Sequence, residues 1–285
     1  VPDGVPGSTA RVRILHVSDL HFGPPFNPPV VAALEAHLDD AAYDVAVVSG
    51  DLAQRSLSGE LQRGAAFLRD VAKRSRVVVV PGNHDVAWWM SPMHLFGSDG
   101  LYTRYRRIIS ADLEPMLDIP GARIVGINTA HGLAPWTLST RLRDLSVVGA
   151  VTGEQLDRTA TRLHGAPPGT ARVIVMHHNL LRGDLSNRFG IVRPRQVLDA
   201  LGRAGADLIL CGHDHQEDVR EVEAGSARKV VVVTAGTLSD RSRGGRPCSF
   251  HVVRIDGDTI GVTTHFWRAD AGRFHPGEEK CFARS

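Results

Sequence analysis

The chain has only three cysteines, Cys211, Cys248 and Cys281, odd in number and widely spaced. That pattern argues against a disulfide framework and against a structural zinc site, which needs cysteine pairs at ligand spacing. It favours a reducing compartment, and with it a cytoplasmic protein. No apolar run approaches the ~20 residues that span a bilayer, so no transmembrane segment is expected. The opening stretch VPDGVPGSTA has no basic n-region and no apolar h-region and does not read as a signal peptide. It also lacks an initiator Met, which leaves room for a removed upstream segment. Charge of either sign is not in excess: the net value of +2 argues against a nucleic-acid duplex as partner and is compatible with a small anionic substrate. With 42% apolar and 22% charged residues, the rest is ordinary globular material with enough length for a sizeable core.

What the chain does have is a series of short β-branched runs. Strands are expected at 12–17, 45–49, 77–80, 123–127, 173–176, 208–211, 230–234, 250–255 and 260–264, each bounded by Gly, Pro or Asp. Helices separate the earlier ones. Asn27 caps a segment whose first turn holds Pro28 and Pro29. Leu61, Ala65, Leu68 and Ala72 recur at helical spacing within 59–73. Thr152 and Gln155 form a capping box that opens a helix to about Leu163, and 194–203 reads as a fourth helix. Asp256-Gly257 reads as a hairpin turn. The order is βαβαβ first and strand-rich at the end, which favours a pair of mixed sheets flanked by helices over one doubly wound sheet. Residues 1–10 are expected to be a flexible segment and 11–285 a single domain. The long irregular stretches 86–102, 129–151 and 180–193 are expected to carry function.

Five polar clusters follow the apolar runs: Asp19-Leu20-His21, Gly50-Asp51, Gly82-Asn83-His84-Asp85, His177-His178 and Gly212-His213-Asp214-His215. Oxygen and imidazole groups are thus delivered repeatedly to strand ends, the edge where open α/β sheets place their chemistry. Any one cluster reads equally well as a surface turn. An Asn, a His and an Asp together at a buried strand end are costly without a cation or a hydrogen-bond network, and five such clusters imply a shared polyvalent metal site. A mixture of carboxylate, amide and imidazole suits Mn, Fe or Zn.

These residues, in this order, resemble the calcineurin-like metallophosphoesterase superfamily, with its D-x-H, G-D, G-N-H-[DE], H and G-H-x-H blocks. Asn128-Thr129-Ala130, Met176-His177-His178 and Ala235-Gly236-Thr237 resemble its bacterial branch of class III cyclic-nucleotide phosphodiesterases. The resemblance implies an α/β fold, a four-layer α/β/β/α sandwich with two mixed β-sheets. It implies that Asp19, His21, Asp51 and His215 hold one metal ion and that Asp51, Asn83, His177 and His213 hold a second, with the Asp51 carboxylate shared. Two divalent or trivalent ions (Fe, Mn or Zn) about 3.5–4 Å apart acidify a bridging water and clamp the phosphoryl group. By the resemblance, the resulting hydroxide would attack phosphorus in line, with the ester oxygen leaving on the opposite side. His84 resembles the family histidine that protonates the leaving oxygen or stabilises its charge. Asp85 is expected to orient His84, the other reading being a turn carboxylate. Asn83, His84 and His178 are expected to face the substrate, although His178 reads equally as a structural histidine. The sequence has Asn179-Leu180 where relatives carry prolines, which puts the shape of that rim in question.

The implied activity is hydrolysis of small phosphodiesters, with cyclic nucleotides as the nearest precedent. Glycerophosphodiester or phospholipid-headgroup hydrolysis and nucleotide-sugar-lipid pyrophosphohydrolysis are the alternatives, and a metal-binding interaction scaffold is the alternative outside catalysis. Oligomeric state is open, a homodimer being compatible. His16 and His251 read as core residues. Trp88, Trp89 and His94 read as a loop's own small core or as a cap on the pocket. Arg182, Arg188, Arg241 and Arg243 read individually as surface residues, and the Arg241/Arg243 cluster as a candidate substrate rim.

Overall fold

The structure, a computed structural model, describes residues 11–87, 100–132, 148–225 and 228–285. The flexible segment expected at 1–10, and Trp88, Trp89 and His94, lie outside the described residues. One six-stranded sheet has the order β12-β11-β10-β1-β2-β3, built from β1 (Val12–Val17), β2 (Val45–Val48), β3 (Arg76–Val79), β10 (Ser249–Asp256), β11 (Thr259–Arg268) and β12 (Arg273–Ala283). The other has the order β4-β5-β6-β7-β9-β8, from β4 (Met116–Ile119), β5 (Ala122–Ile127), β6 (Ala171–Met176), β7 (Leu208–Cys211), β8 (Asp218–Ala224) and β9 (Arg228–Thr234). Both are mixed. In the first sheet β1, β2 and β3 run parallel, and in the second β5, β6, β7 and β9 do.

Side chains alternate across a strand, so each central strand faces two apolar layers. Val12, Ile14, Val45, Val47 and Val78 meet Ile124, Val173, Val175, Leu208, Leu210, Val231 and Val233 between the sheets. The opposite register, Leu15, Val17, Ala46 and Val48, packs on α1 (Pro28–Asp40) and α2 (Ser58–Ala72) through Val30, Leu34, Phe67, Leu68 and Val71. On the far side, Ile174, Met176 and Ile209 pack on α4 (Gly153–His164) and α5 (Pro194–Arg203) through Leu163, Val197, Leu198 and Leu201. The result is the expected α/β/β/α stack. Each fully buried Val, Leu or Ile contributes roughly 1.5–3 kcal/mol, and so strands buried on both faces read as unbroken apolar runs.

The helix signals hold. Asn27 Oδ1 accepts from Val30 N at 3.2 Å, and Thr152 and Gln155 exchange the two bonds of a capping box. Elements without a sequence signal are the sheet edges β4, β8 and β12, together with the six-residue α3 (Thr103–Ile108). Among the described residues, no helix is long and apolar enough to cross a membrane.

Candidate metal centre

The predicted residues come together where the carboxyl ends of the parallel strands in both sheets meet. β1 leads to Asp19 and His21, β2 to Asp51 and β3 to Asn83; from the other sheet β6 leads to His177 and β7 to His213 and His215. His177 continues the face of Val173 and Val175, the one turned toward the first sheet, and its Nδ1 reaches Ser49 O at 2.7 Å. His178, one residue on, lies beside Thr129, with Nδ1 2.7 Å from Thr129 Oγ1.

The backbone is bent sharply to make this arrangement. Among the described residues eight non-glycines have positive φ, and five of them are Asp19 (56°), His21 (48°), Asp51 (53°), His213 (74°) and His215 (55°). Left-handed backbone at a residue with a Cβ costs roughly 1–3 kcal/mol and persists only where surrounding structure imposes it. Here the constraints are visible: Asp19 N donates to Gly50 O (3.1 Å), His21 N to Asp51 O (3.0 Å) and Gly212 N to His177 O (2.8 Å). His84 N donates to Asp51 Oδ1 (2.8 Å) and His213 N to Asp19 Oδ2 (3.0 Å). Two glycines make room: Gly50 has φ +97°, and a Cβ at Gly82 would lie 2.5 Å from the Asp51 amide nitrogen.

The donor set suits cations. Carbonyl oxygens only accept, so His177 Nδ1 donates to Ser49 O, and His215 Nδ1 donates to Arg241 O at 3.0 Å. Nδ1 of each ring is thereby committed to a carbonyl, and Nε2 of each is the nitrogen turned inward. His215 Nε2 sits 3.2 Å from His21 Nε2 and 3.1 Å from Asp19 Oδ1. Asn83 Oδ1 sits 3.2 Å from His177 Nε2 and 3.0 Å from His213 Nδ1. Asp51 Oδ2 lies 3.3 Å from His177 Nε2 and 3.9 Å from His21 Nε2, between the two groups. His21 Nδ1 is buried without a hydrogen-bond partner. Carboxylate oxygens and imidazole nitrogens converging in a buried space call for positive charge, which a proton supplies at His177 and a cation can supply to the whole set. Two clusters could hold one: Asp19, His21, Asp51 and His215, and His177, His178 and His213.

The charge states divide the set. Burial holds His21 down at about 4, and burial together with the neighbouring His177 holds His213 down at about 3. Burial alone would raise the carboxyls of Asp19 and Asp51, but the facing imidazoles reverse it and keep both well below the usual range. Burial would lower His177; the Asp51 carboxylate outweighs it and lifts the ring to about 9, so a cation bound at its Nε2 would displace a proton there.

The expected orientation of His84 by Asp85 is corrected. His84 Nδ1 donates instead to Gln54 O at 2.7 Å. Asp85 is fully buried, and its two oxygens accept from Ala53 N (2.7 Å) and Gly82 N (2.9 Å). It braces the turn, the other reading the sequence allowed. Burial and the Asp51 charge push its carboxyl up to about 7. His178 is fully buried, and its Nε2 has no partner. His16 and His251 are buried between the sheets as expected, their rings stacked at 5.9 Å. Arg182 donates to Asn187 O within its own loop, whereas Arg241 Nη1 lies 3.1 Å from His84 Nε2. Gln54, the residue that holds both His84 and Arg241, carried no sequence signal.

The profile of the calcineurin-like phosphoesterase family matches residues 12–217. Solved structures with a similar fold include a purple acid phosphatase from yellow lupin (Lupinus luteus) seeds, with a TM-score of 0.67 and 13% identity over 98% of this chain and 55% of that one. PhoD matches with a TM-score of 0.66 and 8% identity over 98% of this chain and 71% of that one. GAP50, the anchor in the inner membrane complex of Plasmodium, matches with a TM-score of 0.59 and 13% identity over 96% and 89%. The chain spans about half the length of the lupin enzyme, and at these identities the likeness is one of fold. No curated protein sequence matches it.

Proposed function

The chain belongs to the calcineurin-like phosphoesterase family, and from that premise we propose that it is a binuclear-metal hydrolase of small phosphodiesters. Cyclic nucleotides are the nearest precedent, through the class III branch that the motifs resemble. The observation that carries the proposal is the buried set of inward-facing oxygens and imidazole nitrogens, drawn from both sheets, with Asp51 Oδ2 between its two halves. On this reading Asp19, His21, Asp51 and His215 hold one ion (Fe, Mn or Zn), and Asp51, Asn83, His177 and His213 the other. Bound there, the ions supply an acidified water near neutral pH and neutralise charge on the phosphoryl oxygens.

The chain's own residues do the rest. Asp51 ties the two halves together and, through Oδ1, fixes the backbone of His84. His84 is half-buried at the rim, its ring 5.0 Å from that of His21, a position that supports its role at the developing charge of the leaving oxygen. His178 contributes its unpartnered Nε2 on the side of the second cluster. Residues 11–285 act as one domain on this reading, because the apolar layer between the sheets belongs to both.

The test is metal content together with turnover. Protein reconstituted separately with Mn, Fe and Zn is assayed on bis(p-nitrophenyl) phosphate, cyclic nucleotides, glycerophosphodiesters and nucleotide-sugar lipids, and compared by kcat/KM. Two ions per chain with diesterase activity are expected. Two ions with no esterase activity on any substrate turn the protein into a metal-binding scaffold, and fewer than one ion per chain removes the centre.

A further inference from the structure

The loop that follows β9 carries Arg241, and the way the loop is pinned sets where that side chain goes. Three contacts latch it to the segment after β7. His215 Nδ1 donates to Arg241 O at 3.0 Å, Arg243 Nε donates to Asp214 O at 2.6 Å, and Arg246 Nη1 pairs with Glu217 Oε1 at 2.5 Å. On the other flank, Asp240 N donates to Pro25 O at 3.1 Å. A backbone fixed on both sides presents its side chains in one direction.

From there the Arg241 side chain crosses to the first sheet's half of the centre. Its Nη1 donates to Gln54 Oε1 at 3.2 Å and to His84 Nε2 at 3.1 Å. Both contacts use the same nitrogen. A guanidinium offers five N–H donors in a planar fork, so among the described residues the Nε and Nη2 edge is left open. No carboxylate among the described residues pairs with the charge. The cation is therefore held firmly by one corner, with its bidentate edge unspent, next to the histidine assigned to the phosphoryl group.

We propose that Arg241 is a substrate ligand: its Nε and Nη2 take two oxygens of an anionic phosphoryl group, while Nη1 stays anchored on His84 and Gln54. This inference rests on the hydrolase reading of the site and adds the residue that recognises the anion. A fork of parallel donors matches phosphate geometry in a way that a lysine's point charge does not. With both ring nitrogens of His84 engaged, Nε2 by the guanidinium and Nδ1 by Gln54 O, His84 acts on the phosphoryl charge through Arg241 in this arrangement. Arg243, spent on Asp214 O, belongs to the latch.

Calorimetric titration of inorganic phosphate into the metal-loaded protein tests this without turnover. Arg241→Gln is expected to weaken phosphate binding roughly 10- to 100-fold, and Arg241→Lys, which keeps the charge and loses the fork, to recover only part of it. Both variants keep the wild-type metal content, because the tie to His215 runs through a backbone carbonyl that any residue supplies. Unchanged phosphate affinity in Arg241→Gln overturns the proposal. So does loss of metal together with phosphate, which makes the side chain a strut of the centre. Wild-type protein that binds no phosphate sinks it as well. Phosphate binding that depends on Arg241, in a protein that hydrolyses no ester, supports this inference and removes the hydrolase reading instead.

Discussion

Asp51 shows how much one side chain can be asked to do. Its Oδ1 receives the His84 amide while its Oδ2 stands 3.3 Å from one imidazole and 3.9 Å from another. Replacing it with Ala should strip metal from both halves, whereas Asn83→Ala should cost mainly one ion; counting metals per chain by elemental analysis separates the two outcomes. His84→Ala should keep both ions and lose roughly 10²- to 10⁴-fold in kcat, and unchanged kcat in the metal-loaded variant would remove its catalytic role. Asp85 separates from His84 in a measurable way. It accepts two buried amides, so Asp85→Ala should lower unfolding stability by roughly 1.5–3 kcal/mol in denaturant melts. An unaltered denaturation midpoint would contradict that reading. At this scale the candidate ligands were legible because five polar clusters follow five apolar runs, a repetition that single turns do not explain. Their orienting partners were not. Ser49 and Arg241 act through carbonyl oxygens that every residue carries, and Gln54 holds its neighbours only because the fold brings 54, 84 and 241 together.

Most strands that could be read from sequence are buried on both faces, the edge strand β3 being an exception. VAVV in β2 and LILC in β7 have no exposed position, so their burial is written as a continuous apolar run. β8 (DVREVEA) and β12 (RFHPGEEKCFA) lie at sheet edges, where charge and proline blunt unwanted pairing and erase the hydrophobic signal. Between those extremes are the buried histidines of β1 and β10. His16 Nε2 meets Ser49 Oγ at 2.9 Å, and His251 Nε2 donates to Thr234 O at 3.0 Å. Burial depresses both rings, His251 to about 4. A histidine whose folded value lies below its unfolded value near 6.5 takes up a proton on unfolding, so its contribution is complete above about 6.5 and is lost as pH falls toward 4. His251→Gln should therefore flatten the dependence of unfolding free energy on pH between about 6.5 and 4 by up to one proton per molecule. Equal slopes for variant and wild type would show that the ring is already charged in the folded state.

Across the whole molecule, the centre is a joint. Its residues come in nearly equal parts from the two sheets, whose shared apolar layer lies beneath it. The same carboxylates and imidazoles face one another at close range on strained backbone. Two opposing expectations follow for chelation. If the centre held the sheets together, removing metal would unfold the chain; if it were a surface ornament, nothing would change. The three apolar layers are large and independent of the ligands, which argues against the first. Linkage argues against the second, because an ion at a hundred times its Kd stabilises the folded state by about 2.7 kcal/mol. The expected result is a chelated protein that still melts cooperatively, at a lower Tm that returns when metal is restored. Loss of hydrogen-exchange protection should begin at the strand ends carrying Asp19, Asp51 and His213 and leave the centres of β2 and β7 protected. A Tm indifferent to chelator shows that the cluster holds no metal with useful affinity, and a wholly unfolded chelated protein shows that the sheets depend on it.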